Sequence, residues 1–445
     1  MHAVRRILCV ALLGAASLSL GPGSAPAAPF DPLDCAGPPG NPAPATPEWH
    51  ARELREVRCG EQRVTDTASN PLFAAAGLEN TARDAGVYEG DPFRDPSALA
   101  GHRFRYEQVG FTDPEGQKLD ARLFLPCDSS CPEIPAGLRR FAPPYPAVVV
   151  VHGGSAKQEM YWWGAEPLAE AGYMVLSFQV PTAENTGPAV FPADTKAALD
   201  YLTATPQSKT KAGEVNPHWR DLDRSRIGLA GHSAGGFAVS QVGQEDSRVS
   251  AIVSWDRAQS SPMRPGLPLR TPALLVTADY NCQRVPVCVP QPYTAPPDPH
   301  GPGDKDADFQ RLRAAGVDTM KVSLRAATHL DFTQFGVAGT GSRYGAAVTA
   351  YYMLAWFDRY LRGTRPGART VARQALRRLT ATTFDDSEDI HNISGGTFDP
   401  VTQSNVPAHI AGQPVADRLS FHFRSGYYLA HGARRCDDMR SGCKR

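Results

Sequence analysis

Residues 227–237 read Ile227-Gly228-Leu229-Ala230-Gly231-His232-Ser233-Ala234-Gly235-Gly236-Phe237: a short apolar run, then a serine framed by glycines, then a helix-like segment. An apolar run without polar alternation suits a strand covered on both faces. Where such a strand turns at once into a helix, the corner residue sits on a sharp bend. Side chains on either side of it would collide with the crossing backbone, and Gly231 and Gly235 avoid that collision. The bend lifts the Ser233 hydroxyl above the sheet, and the helix that begins there aims free backbone N–H groups at developing negative charge. A bare Gly-x-Ser-x-Gly also arises by chance in an ordinary loop before a helix. The flanking order decides between the two.

Working outward, similar apolar runs occur at 147–151, 173–178, 249–254, 273–276 and 320–324. Helix-like segments fall between or beside them at 165–171, 193–202, 236–242 and 306–315. Alternation of this kind predicts a mostly parallel sheet with helices on both faces, an α/β fold. Upstream, 104–111 and the alternating Leu119, Ala121, Leu123 and Leu125 flank an Asp113-Pro114-Glu115-Gly116 turn and read as an antiparallel hairpin at one edge. Residues 344–362 make the clearest helix, with Val348, Tyr351, Tyr352 and Ala355 at helical spacing and Gly363 placed to stop it.

The chain has 445 residues with Lys+Arg and Asp+Glu equal at 46 each. A balanced chain has no global field to draw it onto nucleic acid or an anionic membrane. At the N-terminus Arg5 and Arg6 precede the apolar run 7–20, and Ala25-Pro26-Ala27 offers small residues for cleavage, so residues 1–27 read as an export signal cut after Ala27. The rival reading, a membrane anchor, needs about 20 apolar residues, and this run is shorter and dissolves into Gly and Pro. No later segment is apolar enough to span a bilayer.

Of nine cysteines, Cys9 leaves with the signal. The rest fall into near neighbours, Cys35 and Cys59, Cys127 and Cys131, Cys282 and Cys288, Cys436 and Cys443, which proximity suggests as local disulfides. They are scattered, without a repeated Cys-x-x-Cys, so zinc is not expected, and neither a metal nor a cofactor is called for. The organisation expected is a signal at 1–27, an irregular Pro- and Gly-rich extension at 28–102, a catalytic domain at 103–364 and a C-terminal appendage at 365–445. No oligomeric state can be read from it.

Taken together, 116–126, 148–154, 231–236, 271–279, Thr328-His329 and 355–363 resemble the α/β-hydrolases, nearest the dienelactone-hydrolase-like and cutinase-like polyester hydrolase branch. Dienelactone hydrolases carry a cysteine where this chain has Ser233, so the resemblance is to the fold branch. It implies a serine hydrolase of carboxylic esters. Ser233 is then the nucleophile, and His329, following the last core strand, is the base, since an imidazole can take a hydroxyl proton near neutral pH. Backbone N–H groups of Gly154, after the strand that runs into His152-Gly153-Gly154, and of Ala234 supply the oxyanion hole.

His152 and His232 flank the site and are expected to shape it. Asp279, expected in the loop after the strand 273–276, is the favoured acid, and Asp256 at the end of 249–254 is the alternative. Only a short stretch separates Asp256 from the next strand, so no helical cap is expected, and an open cleft suits an extended or polymeric ester. Tyr161-Trp162-Trp163 could line the acyl side or pack in the core. A peptidase or amidase on the same fold, and a non-catalytic binding protein, are the rival functions.

Overall fold

The computed structural model describes residues 104–443 except 128–140, 155, 182–189, 258–262, 281–304, 333–344, 365–366, 386–395, 400–403, 408–409 and 421–422. The expected export signal, the N-terminal extension and the Cys35–Cys59 and Cys282–Cys288 pairs lie outside the described residues. Among the described residues, no helix is long and apolar enough to cross a membrane.

The hairpin forms as its turn chemistry requires. Strands β1 (Phe104–Thr112) and β2 (Lys118–Pro126) pair antiparallel. Between them Gly116 takes φ 89° and its N–H donates to Asp113 O at 3.1 Å, while Asp113 Oδ1 accepts the Gln117 N–H at 2.7 Å. Pro114 suits the second position of such a turn and a glycine the position with positive φ.

The apolar runs become β3 (Tyr145–Val151), β4 (Met174–Phe178), β5 (Leu222–His232), β6 (Val249–Trp255), β7 (Ala273–Tyr280) and β8 (Thr319–Thr328). The sheet order is β1-β2-β4-β3-β5-β6-β7-β8, parallel from β4 to β8, with β2 antiparallel to β4. Every residue of β3 and β4 is buried, as strands covered on both faces should be.

Helices α1 (Trp162–Glu170), α5 (Gly345–Phe357) and α6 (Arg369–Leu379) cover one face. Their core includes Trp162, Trp163, Trp255, Tyr351 and Trp356, and each such side chain removes on the order of 150–250 Å² from water. Helices α2 (Val190–Thr203), α3 (Ala234–Glu245) and α4 (Ala307–Ala314) cover the other, with Leu199, Val239 and Leu312 in its core. Helix α5 ends in a widened turn, Asp358–Arg362, closed by the Gly363 N–H on Asp358 O.

The C-terminal region adds to this sheet. Strand β11 (Gly426–Leu429) pairs antiparallel with β8, and β12 (Arg434–Cys436) pairs with β11. Strands β9 (Gly396–Asp399) and β10 (Ser404–Pro407) form a separate ribbon. Cys436 and Cys443 are disulfide-bonded as their proximity suggests, and Cys127 is also in a disulfide.

Candidate active site

Strand β5 passes into α3 at Ser233, which holds φ 52° and ψ −117°. For a residue with a Cβ this is a strained conformation, and strain of that kind persists only where the surroundings impose it. The surroundings do. A Cβ on Gly231 would come within 2.7 Å of the Gly235 backbone, and one on Gly235 within 2.4 Å of the Val151 and His152 carbonyl oxygens. The corner is pinned by the Ser233 N–H on Trp255 O at 3.1 Å and by the Phe237 N–H on Ser233 O at 2.9 Å.

The loop after β3 lies against this corner. Gly154 and Ala234 are adjacent, a Cβ on Gly154 standing 3.8 Å from that of Ala234. Neither backbone N–H donates to a protein acceptor among the described residues. The Gly153 N–H, by contrast, is consumed by the Tyr161 hydroxyl at 3.1 Å. The loop therefore presents the Gly154 N–H, not that of Gly153, beside the N-terminus of α3.

The two flanking histidines hold this loop. His152 Nδ1–H donates to Gly153 O at 2.6 Å, and its Nε2 accepts the Val180 N–H at 2.8 Å. Burial pushes its pKa down to about 4 against the pull of those two backbone bonds, so it is neutral and fixed as one tautomer. The Tyr161 hydroxyl also hydrogen-bonds His232 Nδ1 at 2.8 Å, which ties that imidazole to the same loop. Burial, and next the charge of neighbouring His329, hold His232 well below the usual imidazole range. Its ring lies 4.4 Å from that of His329.

His329 sits just past β8, in the 3₁₀ turn His329–Phe332. Its Nδ1 bonds Asp256 Oδ2 at 2.7 Å. Asp256 follows β6 at φ 32°, is 3 % exposed, and is anchored by its N–H on Val276 O at 2.7 Å and by the Ala278 N–H on its Oδ1 at 2.9 Å. Burial alone would raise its pKa, but Lys305, His329 and the Ala278 N–H together hold it below the usual carboxylate range. Lys305 Nζ is fully buried, stands 4.0 Å from Asp256 Oδ1, donates to Ala278 O and lies 4.7 Å from the Phe423 ring.

The favoured acid, Asp279, is placed differently from the expectation. Strand β7 does not stop at Val276 but runs on to Tyr280, pairing with β8 as far as Tyr280↔Thr328. Asp279 therefore belongs to a strand and not to a loop, and its side chain lies outside the described residues. The carboxylate on His329 is that of the alternative residue, Asp256.

Tyr161, Trp162 and Trp163 are all at most 1 % exposed, and thus pack in the core and do not line a cleft. Trp163 lies 5.0 Å from Trp255, and its indole N–H donates to Phe332 O at 3.2 Å. The Tyr161 bond to Gly153 and the Lys305 approach to Asp256 are the two site features that sequence reasoning missed. The Pro-rich stretch 282–302, considered for a rim of the cleft, lies outside the described residues.

All of these groups stand at the carboxyl ends of parallel strands, where open α/β sheets place their sites. The sheet order and the strand–serine–helix corner are those of an α/β-hydrolase, and that is the fold of this chain. Residues 142–285 match the model of the PET hydrolase-like family, PETase. Among solved structures, a ferulic acid esterase from Streptomyces cinnamoneus is similar at 21 % identity. That similarity covers 60 % of this chain and 95 % of that one, with a TM-score of 0.43. No curated protein matches the chain.

Proposed function

We propose that this chain is a secreted serine hydrolase of carboxylic esters, with Ser233 as nucleophile, His329 as base and Asp256, in place of Asp279, as the acid. The observation that carries the reading is the bond from His329 Nδ1 to the buried Asp256 beside the corner that holds Ser233. That bond leaves Nε2 of His329 to take the Ser233 proton as the hydroxyl attacks the ester carbonyl. The carbonyl oxygen becomes an oxyanion held by the Gly154 and Ala234 N–H groups. The imidazolium returns its proton to the leaving alcohol, and water, activated by the same His329, hydrolyses the acyl-enzyme.

The match to the PET hydrolase-like model supports an ester over an amide, and it spans Gly154, Ser233 and Asp256. Export rests on the signal-like residues 1–27, and the disulfides agree with an oxidising destination. The short connection from Asp256 to β7 leaves no room for a large cap, which favours an extended or polymeric ester.

The test is active-site titration with a fluorophosphonate together with p-nitrophenyl esters of increasing acyl length, on wild type and Ser233→Ala. Labelling and turnover should vanish together in the variant. Wild type that neither labels nor turns over any ester sinks the reading and favours a binding protein; cleavage of anilides in preference to esters favours an amidase.

A further inference from the structure

Away from the serine site, the turn of the β1–β2 hairpin meets helix α2. Asp113, Glu115 and Asp194 each bring one carboxylate oxygen to this meeting, and the three oxygens lie within 4.8 Å of one another. Three like charges so close repel unless something positive lies among them. None of the three forms an ion pair among the described residues. Clustered acids alone are common on protein surfaces, but Asp194 is not on the surface. It is 0 % exposed, and both of its carboxylate oxygens are without a hydrogen-bond partner among the described residues. An orphaned carboxylate at that depth costs several kcal/mol unless it is neutralised or coordinates a cation.

We propose that Asp113, Glu115 and Asp194 bind a divalent cation, calcium, that ties the hairpin turn to α2. The donors are all hard oxygens, close enough for one ion to reach all three, and calcium accepts the irregular oxygen sets that a turn and a helix offer, whereas magnesium demands near-ideal octahedral geometry. The frame is rigid: backbone bonds fix the turn, and Phe111 of β1 stacks on Tyr201 of α2 at 5.5 Å. On the same helix Phe191 packs edge-on to His152 at 5.5 Å, and His152 holds the Gly153 carbonyl. The cation thus braces the helix that backs the loop after β3. Sequence reading called for no metal because the ligands come from two segments that only the fold brings together.

The experiment titrates EDTA-stripped, desalted protein with CaCl₂ in a calorimeter and follows Tm in parallel, for wild type, Asp194→Asn and Glu115→Gln. Wild type should bind one equivalent of calcium and gain about 3 °C or more at saturation. Both variants should lose that binding and that gain, and MgCl₂ at equal concentration should do less. No calcium response in wild type, or the same response in either variant, overturns the site. If Asp194→Asn fails to fold, Glu115→Gln decides, since Glu115 is exposed. The readouts do not depend on Ser233 chemistry.

Discussion

Asp256 and Asp194 are both buried aspartates, and their surroundings treat them in opposite ways. Asp256, 3 % exposed, has the Ala278 N–H, the His329 ring and the Lys305 ammonium around it. Its pKa is held down despite burial. Asp194, 0 % exposed, has no hydrogen-bond partner among the described residues, and burial together with Asp113 and Glu115 raises its pKa to about 7. Burial favours the neutral acid in both cases, and the neighbours decide which one stays ionised. One carboxylate is surrounded so that it remains charged against the His329 ring; the other is left wanting a proton or a cation.

The sharpest way to break this contrast is to remove each charge in turn. Asp256→Asn keeps the shape but offers His329 the wrong partner, and kcat should fall roughly 10³–10⁴-fold. Asp194→Asn should leave kcat within severalfold of wild type, as should Asp279→Asn. A large loss in Asp279→Asn with little in Asp256→Asn would return the acid to β7 and undo the assignment.

Removing the cation beside Asp256 has the next largest effect. Lys305→Met takes away the charge 4.0 Å from Oδ1. Asp256 then attracts a proton on His329 more strongly, because the ammonium that shared its charge is gone. The acid limb of kcat/KM should move to higher pH by about 1 unit, with kcat at its plateau reduced far less than in Asp256→Asn. A Lys305→Met enzyme with lower activity but an unmoved pH profile would reduce Lys305 to a packing residue.

Why the corner at Ser233 was legible in the sequence, Asp256 only as an alternative to Asp279, and Asp194 not at all follows from the range of the forces involved. The corner at Ser233 is a local steric problem, solved by Gly231 and Gly235 within a few residues of chain, so the sequence displays it. The strands 147–151 and 249–254 were legible for the same reason: continuous apolar text reports burial on both faces. The partner of His329 is 73 residues away in the chain and is chosen by how far β7 continues beyond Val276, which apolar runs mark poorly because Thr277 and Asp279 interrupt them. Lys305 ends a Pro- and Gly-rich stretch, and a lysine there reads as solvated, yet its ammonium is buried. Strands β11 and β12 are short and carry little alternation, and β11 takes its place from pairing with β8, a contact no local pattern encodes.

The smallest effect tests the other half of the contrast, through stability. Folding raises the pKa of Asp194 from an ordinary 3.8 to about 7, so the native state favours its protonated form. The sign follows: this contribution is fully present below pH 4 and is lost as pH rises through about 7. The loss amounts to at most about 4 kcal/mol before solvent screening is allowed for. In metal-stripped wild type, Tm should therefore fall between pH 5 and pH 8, and Asp194→Asn should show less of that fall. Saturating calcium should offset it by giving the ionised carboxylate the positive partner that Asp256 already has, so the calcium gain in Tm should be larger at pH 8 than at pH 5. Parallel pH profiles in wild type and Asp194→Asn, with and without calcium, would mean that this carboxylate is neither orphaned nor coordinating, and the opposition between the two aspartates would fail.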